Sequence, residues 1–363
     1  MPSPDRPLDV EVRRATEDDL PEALELAQAA LGWRPEDPND AFFRWKHLDN
    51  PAGRSPMWVA VDTSHPDDGG RDHRDPDHRD PDHRDPGDHD RRGRIVGFRV
   101  FLRWRFTDRD GRSRSAVRAV DTATHPDHQG RGIFRALTLG AIDELRAEGV
   151  DFVFNTPNAQ SRPGYLKMGW QSVGRVPIAV RPRSPLAAYR MARARTPAGK
   201  WSRPTDAGIP APEALADDAA LVNLLASLDR PRGLATDRTV EHLRWRYRFD
   251  PLHYRAVVAP GGVTDGLAIF RVRDRGAATE AVLCEVLVPG GDRRLGAHLV
   301  REVARSTGAD YVIGTTTTAV PRTTLPMPLI GQGPILTWRA VSPTAQMPPL
   351  ADWSLTMGDV ELF

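Results

Sequence analysis

Val120-Asp121-Thr122-Ala123-Thr124-His125-Pro126-Asp127-His128-Gln129-Gly130-Arg131-Gly132-Ile133-Phe134-Arg135-Ala136-Leu137 changes its hydrophobic period midway. Residues from Ala116 to Thr124 read as a strand. From Gly130 to Ala147 the apolar positions Ile133, Leu137, Ala141 and Leu145 fall on one helical face, and Gly149 stops the run. A strand therefore enters a tight loop, and the loop opens a long amphipathic helix. The first turn of such a helix carries unpaired N–H groups and the positive end of the dipole. Gly130 and Gly132 let a ligand approach that backbone closely. The combination suits a phosphate or pyrophosphate. No Gly-Lys-Ser/Thr follows, which excludes a P-loop, and the three-glycine spacing of a dinucleotide fingerprint is absent.

Upstream, Val10 and Val12 alternate with charged residues as a short strand, and Thr16 before Glu17-Asp18-Asp19 reads as a helix cap. Helical spacing follows from Leu20 to Ala27, then a short helix around Phe42–His47 and a strand from Met57 to Val61. Ile95 to Phe106 is a long strand, joined through Asp108-Arg109-Asp110-Gly111 to the strand that enters the loop. Between these strands, residues 64–94 hold repeats of His-Arg-Asp-Pro at His73, His78 and His83. Ten aspartates and six arginines lie between Pro66 and Gly93, with no aliphatic or aromatic residue. That composition buries too little apolar surface to offset ordering, so a disordered insertion is expected, with metal binding by its histidines as the alternative.

The chain of 363 residues is long enough for two domains, and 39% apolar with 27% charged residues is ordinary globular composition. A net charge of +1 argues against a dedicated nucleic-acid binder. The one cysteine, Cys284, excludes an internal disulfide framework and a cysteine-rich zinc site, and no apolar run reaches membrane-spanning length. The polar start, Met1 to Asp9, has no signal-peptide core. The expectation is a cytoplasmic protein with no resident metal and no membrane or nucleic-acid partner.

A second segment follows at a fixed distance. Phe152-Val153-Phe154-Asn155 is a compact strand, and Ser161-Arg162-Pro163-Gly164-Tyr165-Leu166-Lys167-Met168-Gly169-Trp170 spans a short helix. A strand from about Val173 to Val180 closes this half. Together with Gln129-x-x-Gly132, these residues resemble the GNAT acyltransferase superfamily. Its loop pattern is Gln/Arg-x-x-Gly-x-Gly/Ala, and Phe134 stands where that pattern has a small residue. The resemblance implies acetyl-CoA as acyl donor. Its pyrophosphate would lie on the amides of Gln129, Gly130, Arg131, Gly132, Ile133 and Phe134. Its pantetheine arm would pair with Thr122, Ala123 and Thr124 like an added strand. Asn155 and Asn158 are further candidate contacts, Asn158 equally suiting a helix cap. Tyr165 matches the family's Tyr-x-x-x-Gly-Phe/Tyr tyrosine, which implies a general acid toward the departing sulfur. A buried aromatic with a satisfied hydroxyl is the plainer alternative.

The base that takes the amine's proton is open among three candidates. Asp121 lies on the incoming strand, although alternation can turn it to the opposite face. His125 precedes Pro126 and can simply shape the turn. The chain ends on Leu362-Phe363, and in the similar mycobacterial enhanced-intracellular-survival acetyltransferases, which have tandem GNAT units, the terminal carboxylate reaches the first active site. Core packing of the Phe363 ring is the alternative reading.

The second half repeats the first. Leu243-Arg244-Trp245-Arg246-Tyr247 mirrors Phe43-Arg44-Trp45-Lys46-His47, Asp250-Pro251 mirrors Asn50-Pro51, and the elements after them recur in the same order. In Pro289-Gly290-Gly291-Asp292-Arg293-Arg294, however, Arg294 takes the place of Gly132, so this copy should not hold coenzyme. The reading is an α/β protein of two GNAT-like units, each a mixed, largely antiparallel sheet flanked by helices. Residues 8–180 form the catalytic domain with insertion 64–94, 181–213 a linker, and 214–363 a degenerate GNAT-like domain with a C-terminal extension. The implied activity is direct acetyl transfer to a primary amine of a small molecule or protein. A non-catalytic acyl-CoA sensor or scaffold is the alternative.

Overall fold

A computed structural model describes residues 10–63, 93–194, 196–317 and 319–361. Contacts divide the chain into unit 1, Met1–Ala41, Ser55–Phe101 and Ala119–Glu144, and unit 2, Phe42–Arg54, Leu102–Arg118 and Leu145–Phe363. In chain order the elements are β1 (Val10–Arg14), α1 (Leu20–Leu31), α2 (Asn39–His47), β2 (Met57–Asp62), β3 (Arg94–Thr107), β4 (Ser113–Thr124), α3 (Ile133–Ala147), β5 (Phe152–Asn155), α4 (Arg162–Lys167), β6 (Gln171–Arg175), β7 (Ile178–Pro182) and α5 (Pro185–Arg193). They continue with β8 (Ile209–Pro210), α6 (Ala211–Ala214), α7 (Asp218–Ser227), β9 (Ala235–Thr236), α8 (Val240–Tyr247), β10 (Arg255–Val258), β11 (Leu267–Arg275), β12 (Ala278–Leu287), α9 (Arg293–Thr307), β13 (Tyr311–Thr315), β14 (Met327–Pro328), β15 (Ile335–Ala340) and α10 (Met357–Val360). The strands form two mixed sheets with helices packed on them, the α/β class read from the sequence.

In unit 1, β2 runs antiparallel between β1 and β3, with Val12 opposite Ala60 and Val59 opposite Phe98. Met57 to Val61 are all buried, as expected of a strand covered on both faces. The expected cap at Thr16 is present: Thr16 and Asp19 form a reciprocal capping box, and Arg13 clamps the Asp19 carboxylate with two bonds of 2.7 Å. Helix α1 buries Leu20, Ala23, Leu26 and Ala27 on one face. Helix α3 lies directly on β3 at Gly97, where a Cβ would stand 2.7 Å from Ile133 Cγ2 and 3.2 Å from Leu137 Cδ1. A glycine there brings the first turn of α3 down onto the strand.

In unit 2, the first part of β4 runs parallel to β5, from Ala116 opposite Phe152 to Arg118 opposite Phe154. Strand β15 is antiparallel to both β5 and β6. The second sheet has the order β14-β7-β13-β12-β11-β10-β8; β12 and β13 are parallel, and its other pairs are antiparallel. Its core joins Leu299, Val300 and Val303 of α9 to Ala268, Phe270, Val272, Ala281 and Leu283. The single strand expected over 173–180 is two strands, β6 and β7. Pro177 lies between them, and proline has no N–H to donate to a ladder. Strand β7 then joins β13, while β15, from late in the chain, joins β5.

The sequence repeat around the two tryptophans has a structural counterpart. Trp45 Nε1 donates to the Trp245 carbonyl at 2.6 Å, and Trp245 Nε1 donates to the Trp45 carbonyl at 2.7 Å. The two rings stack at 5.9 Å. These reciprocal bonds join Trp45 of α2 to Trp245 of α8 within unit 2.

Candidate functional site

The loop from β4 to α3 lies wholly in unit 1, and five successive features of β3 anchor it there. Arg94 reaches His125 Nε2 at 3.3 Å. The Val96 carbonyl accepts from His125 N–H at 2.8 Å, and the Phe98 carbonyl accepts from the Thr122 hydroxyl at 3.1 Å. Gly97 seats Ile133. The Arg99 guanidinium lies 4.8 Å from the centroid of the Phe134 ring. His128 Nε2 also lies 3.8 Å from an Asp62 carboxylate oxygen, and burial holds the His128 imidazole below the usual histidine pKa. These contacts tether the loop as a shelf, shaped further by a 3-10 turn at Pro126–His128, where the His125 side chain accepts from Asp127 N–H.

On that shelf the glycines adopt the conformations that let the backbone face a ligand. Gly130 has φ 76° and Gly132 φ 81°, both left-handed. A Cβ on Gly130 would meet nothing within 4 Å, so the space above it is open. Gln129, Gly130, Arg131 and Gly132 are exposed, Phe134 is half-buried, and Ile133 points into the core. The first turn of α3 contains no acidic residue, so its dipole faces outward uncompensated by a carboxylate of its own. Thr122 and Thr124 are half-buried and Ala123 is buried. Asp121 has φ 39°, a strained conformation for a residue with a side chain. This kink breaks the alternation: Val120, Asp121 and Thr122 are all half-buried, so strand periodicity does not assign Asp121 to a face.

The counterpart in unit 2 is built differently. The Asp292 carboxylate caps α9, accepting from Arg294 N–H at 2.8 Å and Leu295 N–H at 3.2 Å. A carboxylate of the chain itself thus occupies the anion position at that helix start. Gly296 is closed in as well, since a Cβ there would lie 2.0 Å from the Ala319 carbonyl oxygen.

The remaining candidates belong to unit 2. Tyr165 is buried in α4, with its ring edge-on to Trp170 at 5.2 Å between centroids. Asn155 is buried at the end of β5, where its Oδ1 accepts from the Thr337 hydroxyl at 2.5 Å. Asn158 is exposed and its Oδ1 accepts from Ser161 N–H at 2.8 Å, which shapes the turn before α4, whose N-cap is Ser161. Phe363 lies outside the described residues, as do residues 64–92 of the insertion. The segment just before the terminus is held by arginines that the sequence reading did not single out. Arg118 donates to the carbonyls of Asp359 and Val360, Arg246 to those of Gly358 and Glu361, Arg238 to the Asp359 carboxylate, and Arg271 and Arg273 to that of Glu361. Burial would raise both carboxyl pKa values, but Arg238 holds that of Asp359, and Arg271 with Arg273 that of Glu361, below the usual range. Glu285, the second carboxylate on Arg238, is pushed up by burial and by neighbouring Asp359. Cys284 is buried and its thiol is pushed above its ordinary pKa by burial, which makes it a poor nucleophile.

The family model for the acetyltransferase (GNAT) domain matches residues 89–173, the span that holds β3, β4, the glycine loop, α3 and Tyr165. Over that span the chain is similar to a GNAT acetyltransferase domain. Its fold is shared with a GCN5-related N-acetyltransferase from Kribbella flavida (TM-score 0.58, 15% identity, covering 93% of this chain and 72% of that one). It is similar also to a GCN5-related N-acetyltransferase from Anabaena variabilis (TM-score 0.55, 12% identity, 92% and 73% covered). Eis1 from Mycobacterium abscessus has a TM-score of 0.52 at 14% identity, with 92% and 73% covered. At such identities the likeness speaks for the fold. No protein of curated function matches the chain by sequence. Among the described residues, no helix is long and apolar enough to cross a membrane.

Proposed function

We propose that the chain is an acetyl-CoA-dependent N-acetyltransferase whose donor binds the β4–α3 loop of unit 1. The observation that carries this is the left-handed pair Gly130 and Gly132 on an anchored loop, opening a helix with no acid in its first turn. Amides of residues 130–134 would hold the pyrophosphate, and Thr122 to Thr124 would meet the pantetheine arm. The donor supplies a thioester acyl group. The chain's part is to hold it, to receive a proton from the attacking amine, and to return one to the leaving sulfur. Tyr165 is assigned the latter role from its place in the Tyr-x-x-x-Gly-Trp segment. Asp121 is the candidate base. Transfer is direct, because the only cysteine is sequestered in β12.

We also assign the chain two GNAT-like halves, 8–180 and 214–363 joined through 181–213, of which the second has lost donor binding. Its carboxylate-capped α9 supports this. Release of free thiol from acetyl-CoA in the presence of a panel of small amines and lysine peptides tests the activity. Acceptor-dependent release is expected. Tight donor binding without release for any acceptor would favour an acyl-CoA sensor.

A further inference from the structure

The residue at position 134 is a phenylalanine where the GNAT loop pattern has a small residue, and a ring over the first turn of α3 would crowd a pyrophosphate. The structure shows where that ring goes. It lies over the guanidinium of Arg99, 4.8 Å from Arg99 Cζ to the ring centroid. Arg99 is 0% exposed, in the middle of β3, and its guanidinium also lies 5.6 Å from the Phe101 ring. Two residues before it on the strand, Gly97 takes the Ile133 side chain, so the first turn of α3 is fixed to β3 through the adjacent Ile133 and Phe134. The Thr138 hydroxyl bonds the Phe134 carbonyl at 2.6 Å, which pins the backbone of the same turn. A buried guanidinium is costly to desolvate and recovers part of that cost on aromatic faces.

We infer that Arg99 is a positioning residue for donor binding: it holds the Phe134 ring down on β3 and so keeps the glycine loop open to a pyrophosphate. Resting on the proposal that acetyl-CoA binds this loop, the inference accounts for the departure from the family pattern. It makes the pair Arg99 and Phe134 one functional unit. Losing the cation releases the ring, and the released ring blocks the loop. Shortening the ring then removes the block, which distinguishes positioning from a general role in stability.

The test is titration of CoA into wild type, Arg99→Lys, Arg99→Gln and the double variant Arg99→Gln/Phe134→Ala, each checked for folding by circular dichroism. Arg99→Gln is expected to weaken binding at least about tenfold, Arg99→Lys to remain within about threefold of wild type, and the double variant to recover most of the loss. An Arg99→Gln variant that binds like wild type, or a folded double variant as weak as Arg99→Gln, overturns the inference. Where Arg99→Gln does not fold, the crystal structure of wild type with CoA decides: a ring still on Arg99 is expected, and a ring turned away in the complex is the contrary result. Failure of wild type to bind CoA would defeat the donor reading instead. The ligand-free crystal structure of Arg99→Gln then carries the test, with a displaced Phe134 ring expected and an unmoved ring refuting the role of Arg99.

Discussion

Asp121, Tyr165 and His242 show three relations between a residue and what its neighbours in sequence can tell. Tyr165 was singled out by its spacing from Gly169-Trp170, which resembles a motif. If it donates the proton to sulfur, Tyr165→Phe lowers kcat by about 10²-fold or more while CoA affinity stays near wild type, a split read by steady-state kinetics beside titration. The position of Asp121 was legible but its direction was not, since the kink at φ 39° cancels the alternation on which such a reading depends. His242 gave no signal at all. It is half-buried, edge-on to Trp104 at 5.3 Å, and loss of solvent around the imidazole, reinforced by Arg238, pushes its pKa down to about 3. The unfolded chain, with an ordinary histidine pKa of about 6.5, binds the proton first. His242 therefore contributes stability in full above about pH 6.5, lost as pH falls from there toward 3, with a slope of up to about 1.4 kcal/mol per pH unit. Equilibrium denaturation of wild type and His242→Gln between pH 7 and 4 should show the variant losing less stability on acidification. Parallel pH profiles would contradict this. Arg99 was likewise hidden: inside Ile95-Val96-Gly97-Phe98-Arg99-Val100-Phe101 it reads as the polar member of a strand, whereas its cation is buried under an aromatic ring.

At the scale of elements, periodicity carried most of the fold. The strands β3, β4 and β5 and the helices α1 and α3 fall close to where hydrophobic spacing placed them. Spacing along the chain says nothing of which sheet a strand enters. The joining of β7 to β13 and of β15 to β5 depends on partners far away in sequence. Nor does it reveal the arginines around α10, because they come from β4, α8, β11 and the loop before α8, and only the fold assembles them. The Trp45–Trp245 pair is intermediate: the repeat was visible, the reciprocal bonds were not. Each indole N–H satisfies a buried carbonyl, so Trp245→Phe leaves the Trp45 carbonyl without this donor. The expected cost is about 1–3 kcal/mol, and Trp45→Phe should cost a similar amount by the equivalence of the two bonds. Denaturant titration of both variants checks this; a near-zero loss in either would show that the pairing does not hold α2 to α8.

For the whole molecule, two starts of comparable helices differ in how each treats negative charge. At α3 the chain offers left-handed glycines and no acid in the first turn; at α9 it supplies its own carboxylate, Asp292. Donor binding should therefore occur once per chain. The measurement that bears most directly on this is calorimetric titration of acetyl-CoA into the wild-type chain and into Gly132→Arg. The account predicts one site per chain in wild type, and loss of binding in Gly132→Arg, whose side chain strains a left-handed position and covers the amides. Two equivalent sites per chain, or undiminished binding by Gly132→Arg, would contradict it.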